Sequence, residues 1–213
     1  RIGDARQQLA HLGTPPRTLE PGEYRAYLAP AALDELLWML NWGGVSEKAQ
    51  RTKQSCIQKL VEGEAALSPL VGIAEDIAGG LAPAFDEAGF TKPARVDLVL
   101  DGRHHGSMVS PRTGAEYGIA SNGAGEDEGM TAMAVGAGTL REEDILAALG
   151  TVLYIGNLHY LNFSVRANGR VTGMTRFATF WVEQGRIAAP LNVMRWDDTL
   201  YRMLGDNLEA LTD

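Results

Sequence analysis

Leu33, Leu36, Leu37 and Leu40 repeat at the helical period, so residues 31–42 predict an amphipathic helix, ended by Gly43-Gly44. A second, polar helix is expected over residues 46–60, with Ser46 as its cap. A short helix over residues 4–12 stops at Gly13 and Pro15-Pro16. Alternation marks one β segment. Val96, Leu98 and Leu100 alternate within residues 94–100, and Asp101-Gly102 predicts a hairpin turn to a return strand near Met108. Shorter strands are expected over residues 24–28 and 69–73, and a Thr139-capped helix over residues 141–149.

From Thr151 to about Val193 the pattern is mostly β. Strands are predicted over residues 152–155, 160–165, 170–182 and 186–190, separated by turn signals at Gly156-Asn157, Asn168-Gly169 and Gln184-Gly185. Leu200, Met203, Leu204 and Leu208 then suggest a closing amphipathic helix over residues 196–211. Helices at both ends of a hairpin-rich middle imply an α+β fold, with mainly antiparallel β-sheets and flanking helices.

Composition narrows the function classes. Nineteen Lys and Arg face 27 Asp and Glu, a net charge of −8, with a pI near 5.0. That balance argues against a grip on nucleic acid, which needs a basic face. No apolar run is long enough for a membrane span, so no membrane partner is expected. The single cysteine, Cys56, excludes an internal disulfide or a cysteine zinc cluster, and fits a reducing, cytoplasmic setting. Glycine is high, 25 of 213 residues against a usual ~7%, as many tight turns require. The chain opens at Arg1 with no leader-like pattern, which reads as a piece of a longer protein lacking its N-terminal part.

Few residues offer chemistry on spacing alone. His104-His105 follows a hairpin turn, and neighbouring strand residues face opposite sides, so they read as turn histidines rather than a shared metal site. His159 reads as a packed or hydrogen-bonded histidine, and His11 has no partner nearby in sequence. No H-E-x-x-H or H-E-x-x-x-H run, nucleophile elbow or P-loop is present. Cys56 reads as a small buried hydrophobe. Glu142-Glu143 and Asp197-Asp198 fit the first turns of helices, whereas Asp86-Glu87 lies in a turn. The stretch from Ser121 to Gly129 lacks calcium-loop spacing and is expected to be a solvated, mobile loop. The segment from Arg166 to Trp181 stands apart. Arg166, Arg170 and Arg176, with Phe177 and nearby Tyr160, could bind a peptide carboxylate or a partner's acids, and a sheet edge here could accept a peptide strand.

Several pieces, in this order, resemble the C-terminal domain of the TldD/PmbA family. They are Leu19-Glu20-Pro21-Gly22-Glu23-Tyr24, Ser68-Pro69-Leu70-Val71, Phe85-Asp86-Glu87-Ala88-Gly89 and Asp101-Gly102. The most specific run from Tyr154 to Asn162 and from Gly173 to Gly185. The resemblance implies that residues 1–213 form one such domain, with the family's N-terminal domain absent. It implies related subunits that act together on unfolded peptides and carry the name modulators of DNA gyrase. One type, TldD, bears H-E-x-x-x-H and a late cysteine ligand; the PmbA or TldE type lacks them. Laid on this chain, the motif falls on Trp38, Met39 and Gly43, none able to serve as its zinc ligand or base. The expectation is therefore a non-catalytic PmbA/TldE-like subunit without its own cofactor. Zinc would reside in a TldD-like partner, and the chain would form a heterodimer or a self-dimer around an unfolded peptide. The alternatives are a divergent metallopeptidase using His104, His105 or His159 with acids such as Asp86 or Glu87, and a gyrase-modulating interaction module.

Overall fold

Local periodicity and turn chemistry set the order of elements, which a computed structural model describes for residues 2–86 and 89–213. Helix α1 (Ile2–Leu12) is followed by strand β1 (Ala26–Leu28) and helix α2 (Pro30–Trp38). Pro30 occupies the first turn of α2, where its missing N–H and fixed φ already suit a helix. The chain tightens into a 3-10 turn (Met39–Asn41), and Gly43 then takes a left-handed φ of 86° that stops the helix. Helices α3 (Glu47–Arg51) and α4 (Gln58–Val61) come next, then strands β2 (Ile73–Asp76), β3 (Arg95–Leu100) and β4 (Arg103–His104). Helix α5 (Pro111–Tyr117), strand β5 (Met133–Val135) and helix α6 (Ile145–Leu149) lead to two 14-residue strands, β6 (Val152–Val165) and β7 (Arg170–Glu183). Strands β8 (Arg186–Pro190) and β9 (Arg195–Thr199) complete the set.

The strands form two sheets. The larger runs β1-β6-β7-β8, with β9 also on β7; its pairs are antiparallel except the short parallel pair β1–β6. The smaller is antiparallel, in the order β4-β3-β2-β5. The fold is α+β, as the pattern predicts. Gln184-Gly185 and Asp101-Gly102 make the tight hairpins foreseen for them. Both central residues have positive φ in each case (51° and 73°; 46° and 70°), the geometry that suits the strand twist. Gly102 is fixed twice over, because a Cβ there would sit 2.2 Å from the Leu67 carbonyl oxygen. One core cluster spans both sheets, and Leu36 and Leu37 of α2, Leu98 of β3 and Val171 of β7 belong to it. Each fully buried leucine contributes about 2 kcal/mol by removal from water. Among the described residues, no helix is long and apolar enough to cross a membrane.

Several expectations are corrected. Gly156-Asn157 is no turn; β6 runs through it, and a Cβ on Gly156 would lie 2.6 Å from the Ala178 carbonyl oxygen, so this glycine serves close strand approach. The closing helix over 196–211 is replaced by β9 and one turn of π-helix (Arg202–Asp206). The open flank of β7 recruits residues 195–199 as a strand, and Gly205 leaves helical geometry. Asp197 and Asp198 therefore lie in β9, not at a helix start. The polar helix over 46–60 divides into α3 and α4 because Lys53 adopts φ 57°, although Ser46 caps α3 as expected by accepting from the Ala49 N–H. β2 starts at Ile73, where the strand expected over 69–73 ends. The return strand is Arg103–His104, whereas Met108 bridges Ser46. Glu142–Asp144 form a 3-10 turn before α6, and Arg141 rather than Thr139 precedes it. α5 and β5 were not foreseen, though Ser110 caps α5 and Gly118 closes it in the left-handed region. Glu87 and Ala88 of the expected Asp86–Gly89 turn lie outside the described residues.

Candidate functional site

α2 buries Ala32, Leu36 and Leu37 and turns Asp34, Glu35 and Trp38 outward. Its 3-10 extension buries Met39 and leaves Trp42 at the surface. Trp38 and Trp42 are 48% and 44% exposed, high for so large an apolar ring. Opposite them lies β6. Beyond Ile155 no other described strand pairs with β6 on the side away from β7, so residues 157–165 form an edge. Between helix and edge runs a cleft of about 510 Å³, lined by Asp34, Glu35, Trp38, Met39, Trp42, His159, Tyr160 and Leu161. A second compartment of about 370 Å³ shares Trp42 and continues past Lys53 and Arg166.

The β6–β7 pairing supplies an unusual wall. One extra residue is inserted in β6 between His159 and Asn162, and another in β7 opposite Ile155–Asn157. Tyr160 sits at the first bulge with φ 52°, and Phe177 at the second with φ 55°. Left-handed backbone at a bulky residue costs about 1–2 kcal/mol, and glycine is the usual occupant. Both aromatics are nonetheless thrust into solvent, Tyr160 at 74% and Phe177 at 65% exposure. Between them is a stack of groups. Tyr160 packs on the His159 ring at 4.1 Å. Arg176 Nη1 donates towards that ring, 2.9 Å from Nδ1 and 3.0 Å from Nε2. The Arg176 guanidinium lies 4.5 Å over the Phe177 ring.

Electrostatics differ between the compartments. Burial pushes the Glu35 carboxyl up from its ordinary value; His159 and Arg176 pull it back, and Asp34 adds to the rise. In the second compartment Arg166 Nη1 donates to the Trp42 carbonyl, and its guanidinium lies 5.0 Å over Phe163. Among the described residues, neither Arg166 nor Arg176 has a carboxylate at ion-pair distance, whereas Lys53 pairs with Glu62 at 2.7 Å. Cys56 is fully buried, and burial pushes its thiol up to about 12, so it is a packing residue and no nucleophile.

The structure thus brings Tyr160 and Arg166 into the groove, whereas Arg176 reaches its lining only through His159, and Phe177 only through Arg176. Arg170 is elsewhere, ion-paired to Asp197 of β9. The peptide-accepting edge expected in the segment from Arg166 to Trp181 is corrected: β7 is flanked by β6 on one side and by β8 and β9 on the other, and the free edge belongs to β6. Trp38, Met39 and Gly43 all border the groove. An indole, a thioether and a bare backbone are no donor set for zinc. His104 belongs to the smaller sheet, where its ring bonds Gln50 at 3.1 Å and burial lowers its pKa. His159 belongs to the larger one, and among the described residues no three His, Cys, Asp or Glu side chains could hold one ion. Asp34 and Glu35 escaped the sequence reading. Their signal was their place on the polar stripe of an amphipathic helix, opposite Leu33, Leu36, Leu37 and Leu40.

Comparison with known proteins adds the relationship. The family model described as the PmbA/TldA metallopeptidase C-terminal domain matches residues 21–213. Among curated proteins none matches the chain. A crystal structure of TldE from Thermococcus kodakarensis superimposes with a TM-score of 0.78 at 16% identity, over 96% of this chain and 48% of that one. A candidate modulator of a DNA gyrase from Thermotoga maritima gives 0.74 at 17% identity, over 89% and 45%. A candidate modulator of DNA gyrase from Bacteroides thetaiotaomicron gives 0.75 at 15% identity, over 96% and 45%. The chain spans about half the length of these solved relatives.

Proposed function

This chain belongs to the PmbA/TldA metallopeptidase C-terminal domain family, and on that premise we propose that it is a non-catalytic, TldE-like peptide-holding subunit. In this reading residues 1–213 are one C-terminal domain of a longer, cytoplasmic protein. It pairs with a TldD-like, zinc-bearing subunit and helps hold unfolded peptide for that partner's catalysis. The observation that carries the reading is the groove itself. Where the family's zinc motif would fall, Trp38 and Met39 form an apolar wall facing the unpaired edge of β6. Main-chain hydrogen bonds to an edge strand hold a peptide with little regard to sequence, as unfolded substrates require. The bulge at Tyr160 interrupts that edge, so the apolar wall and the strand share the grip.

Mixing the chain with a TldD-type subunit and running size-exclusion chromatography tests this. A co-eluting complex that cleaves an unfolded peptide, when neither component does so alone, is the expected result. Separate peaks at micromolar concentration would remove the reading. The names of two structural relatives favour a second one, an interaction module acting on DNA gyrase. With a net charge of −8, it would touch the enzyme rather than the DNA. Capture of gyrase with no peptidase partner would favour that alternative.

A further inference from the structure

The two compartments that meet at Trp42 carry opposite charge. The cleft beside α2 presents Asp34 and Glu35 together with the exposed rings of Trp38, Trp42 and Tyr160. Its neighbour presents Arg166, which has no carboxylate partner among the described residues, and Lys53, already neutralised by Glu62. A carboxylate pair framed by aromatic faces suits an ammonium, through charge and the ring quadrupoles. A guanidinium held in place by a carbonyl and an aromatic ring, with donors to spare, suits a carboxylate. We infer that the groove binds extended peptides in one direction, with the amino end against Asp34 and Glu35 and the carboxyl end against Arg166. This rests on the peptide-holding reading and adds the polarity and the terminal chemistry to it.

Three features join in the argument. The apolar floor of Trp38, Met39 and Trp42 accommodates side chains of any sequence. The edge of β6 offers main-chain partners along the same cleft. The charges alone distinguish the two ends. Burial also raises Glu35 above its ordinary value, so an incoming cation would stabilise its charged form.

The test uses the whole chain and a short alanine peptide in four forms: both ends free, amino end acetylated, carboxyl end amidated, and both blocked. Affinity is read by calorimetry or by quenching of tryptophan emission. Each block is expected to weaken binding by about tenfold, the equivalent of one desolvated charge contact. The acetyl effect should vanish in an Asp34→Asn, Glu35→Gln double variant, and the amide effect in Arg166→Gln. Arg166→Lys, which keeps the charge and guards against a folding artefact, should retain part of the amide effect. If all four forms bind equally, the polarity is wrong while the peptide-holding reading stands. Block effects that persist in the variants would place the termini elsewhere and overturn the assignment. If no form binds, both the polarity and the peptide-holding reading fall.

Discussion

Around Glu75 and Glu128 the chain satisfies its own polar groups, whereas along the groove it leaves them open. Glu128, 2% exposed, accepts from the Ser46 hydroxyl at 2.6 Å, the Ser110 N–H at 2.9 Å and the Lys48 N–H at 3.0 Å. Glu75 accepts from the Thr131 N–H and hydroxyl and from the Ala132 N–H. These two carboxylates tie the glycine-rich stretch before β5 to α3, α5 and β2. On the β6–β7 pair and in the groove, by contrast, Tyr160 and Phe177 bear backbone strain and solvent exposure together, and Arg166 and Arg176 lack carboxylate partners among the described residues. Satisfied polar groups stabilise a fold; strained and open ones cost it free energy unless a ligand returns the difference. The contrast separates the scaffold from the proposed binding surface.

The largest test of that contrast is Glu75→Ala. It would strand three donors at Thr131 and Ala132, the Ala132 N–H among them buried, empty the buried site of Glu75 and lower unfolding stability by about 3 kcal/mol, read from the denaturant midpoint. An effect under about 1 kcal/mol would mean that the network is not structural. Glu128→Gln sharpens the point through pH. Burial raises the Glu128 carboxyl, but donors from Ser46, Thr113, Ser110 and Lys48 together outweigh it and hold the pKa below its ordinary value. A depressed native pKa contributes stability that is complete above the unfolded value of about 4.3 and is lost as pH falls through the lower native value. Stability of the parent chain should therefore fall steeply below pH about 4, and that slope should flatten in Glu128→Gln.

How far the sequence reaches follows the same division. The leucine period of α2 and the turns at Asp101-Gly102 and Gln184-Gly185 are local signals, and they were legible. The stretch from Ser121 to Gly129 reads as solvated from its composition, yet its Glu128 is buried, because the groups that donate to its carboxylate come from residues up to 82 positions away. The apolar side of residues 196–211 suits a helix as well as a strand, and only the vacant flank of β7 decides between them. Trp38 was legible as a residue standing where one of the family's zinc ligands would fall, with Trp42 one position before the other. Their exposure and the facing edge of β6 depend on tertiary placement. The bulges that aim Tyr160 and Phe177 are properties of cross-strand register, and no single strand encodes register.

The smallest expected effect on stability is the most diagnostic of the groove. Tyr160→Gly and Phe177→Gly place at each bulge the residue that its φ favours. Relief of strain is worth about 1 kcal/mol, and glycine's extra chain entropy on unfolding removes much of it, so each variant should melt within a few degrees of the parent. Because both rings are largely exposed, little core packing is lost. If these aromatics are held in place for a ligand, the same variants should weaken binding of an unfolded peptide by about tenfold. A destabilised variant that still binds fully would reverse the interpretation: the rings would then be packing residues, and the strain at Tyr160 and Phe177 would belong to the scaffold. A variant of unchanged stability and reduced affinity separates holding the fold from holding the peptide at two individual residues.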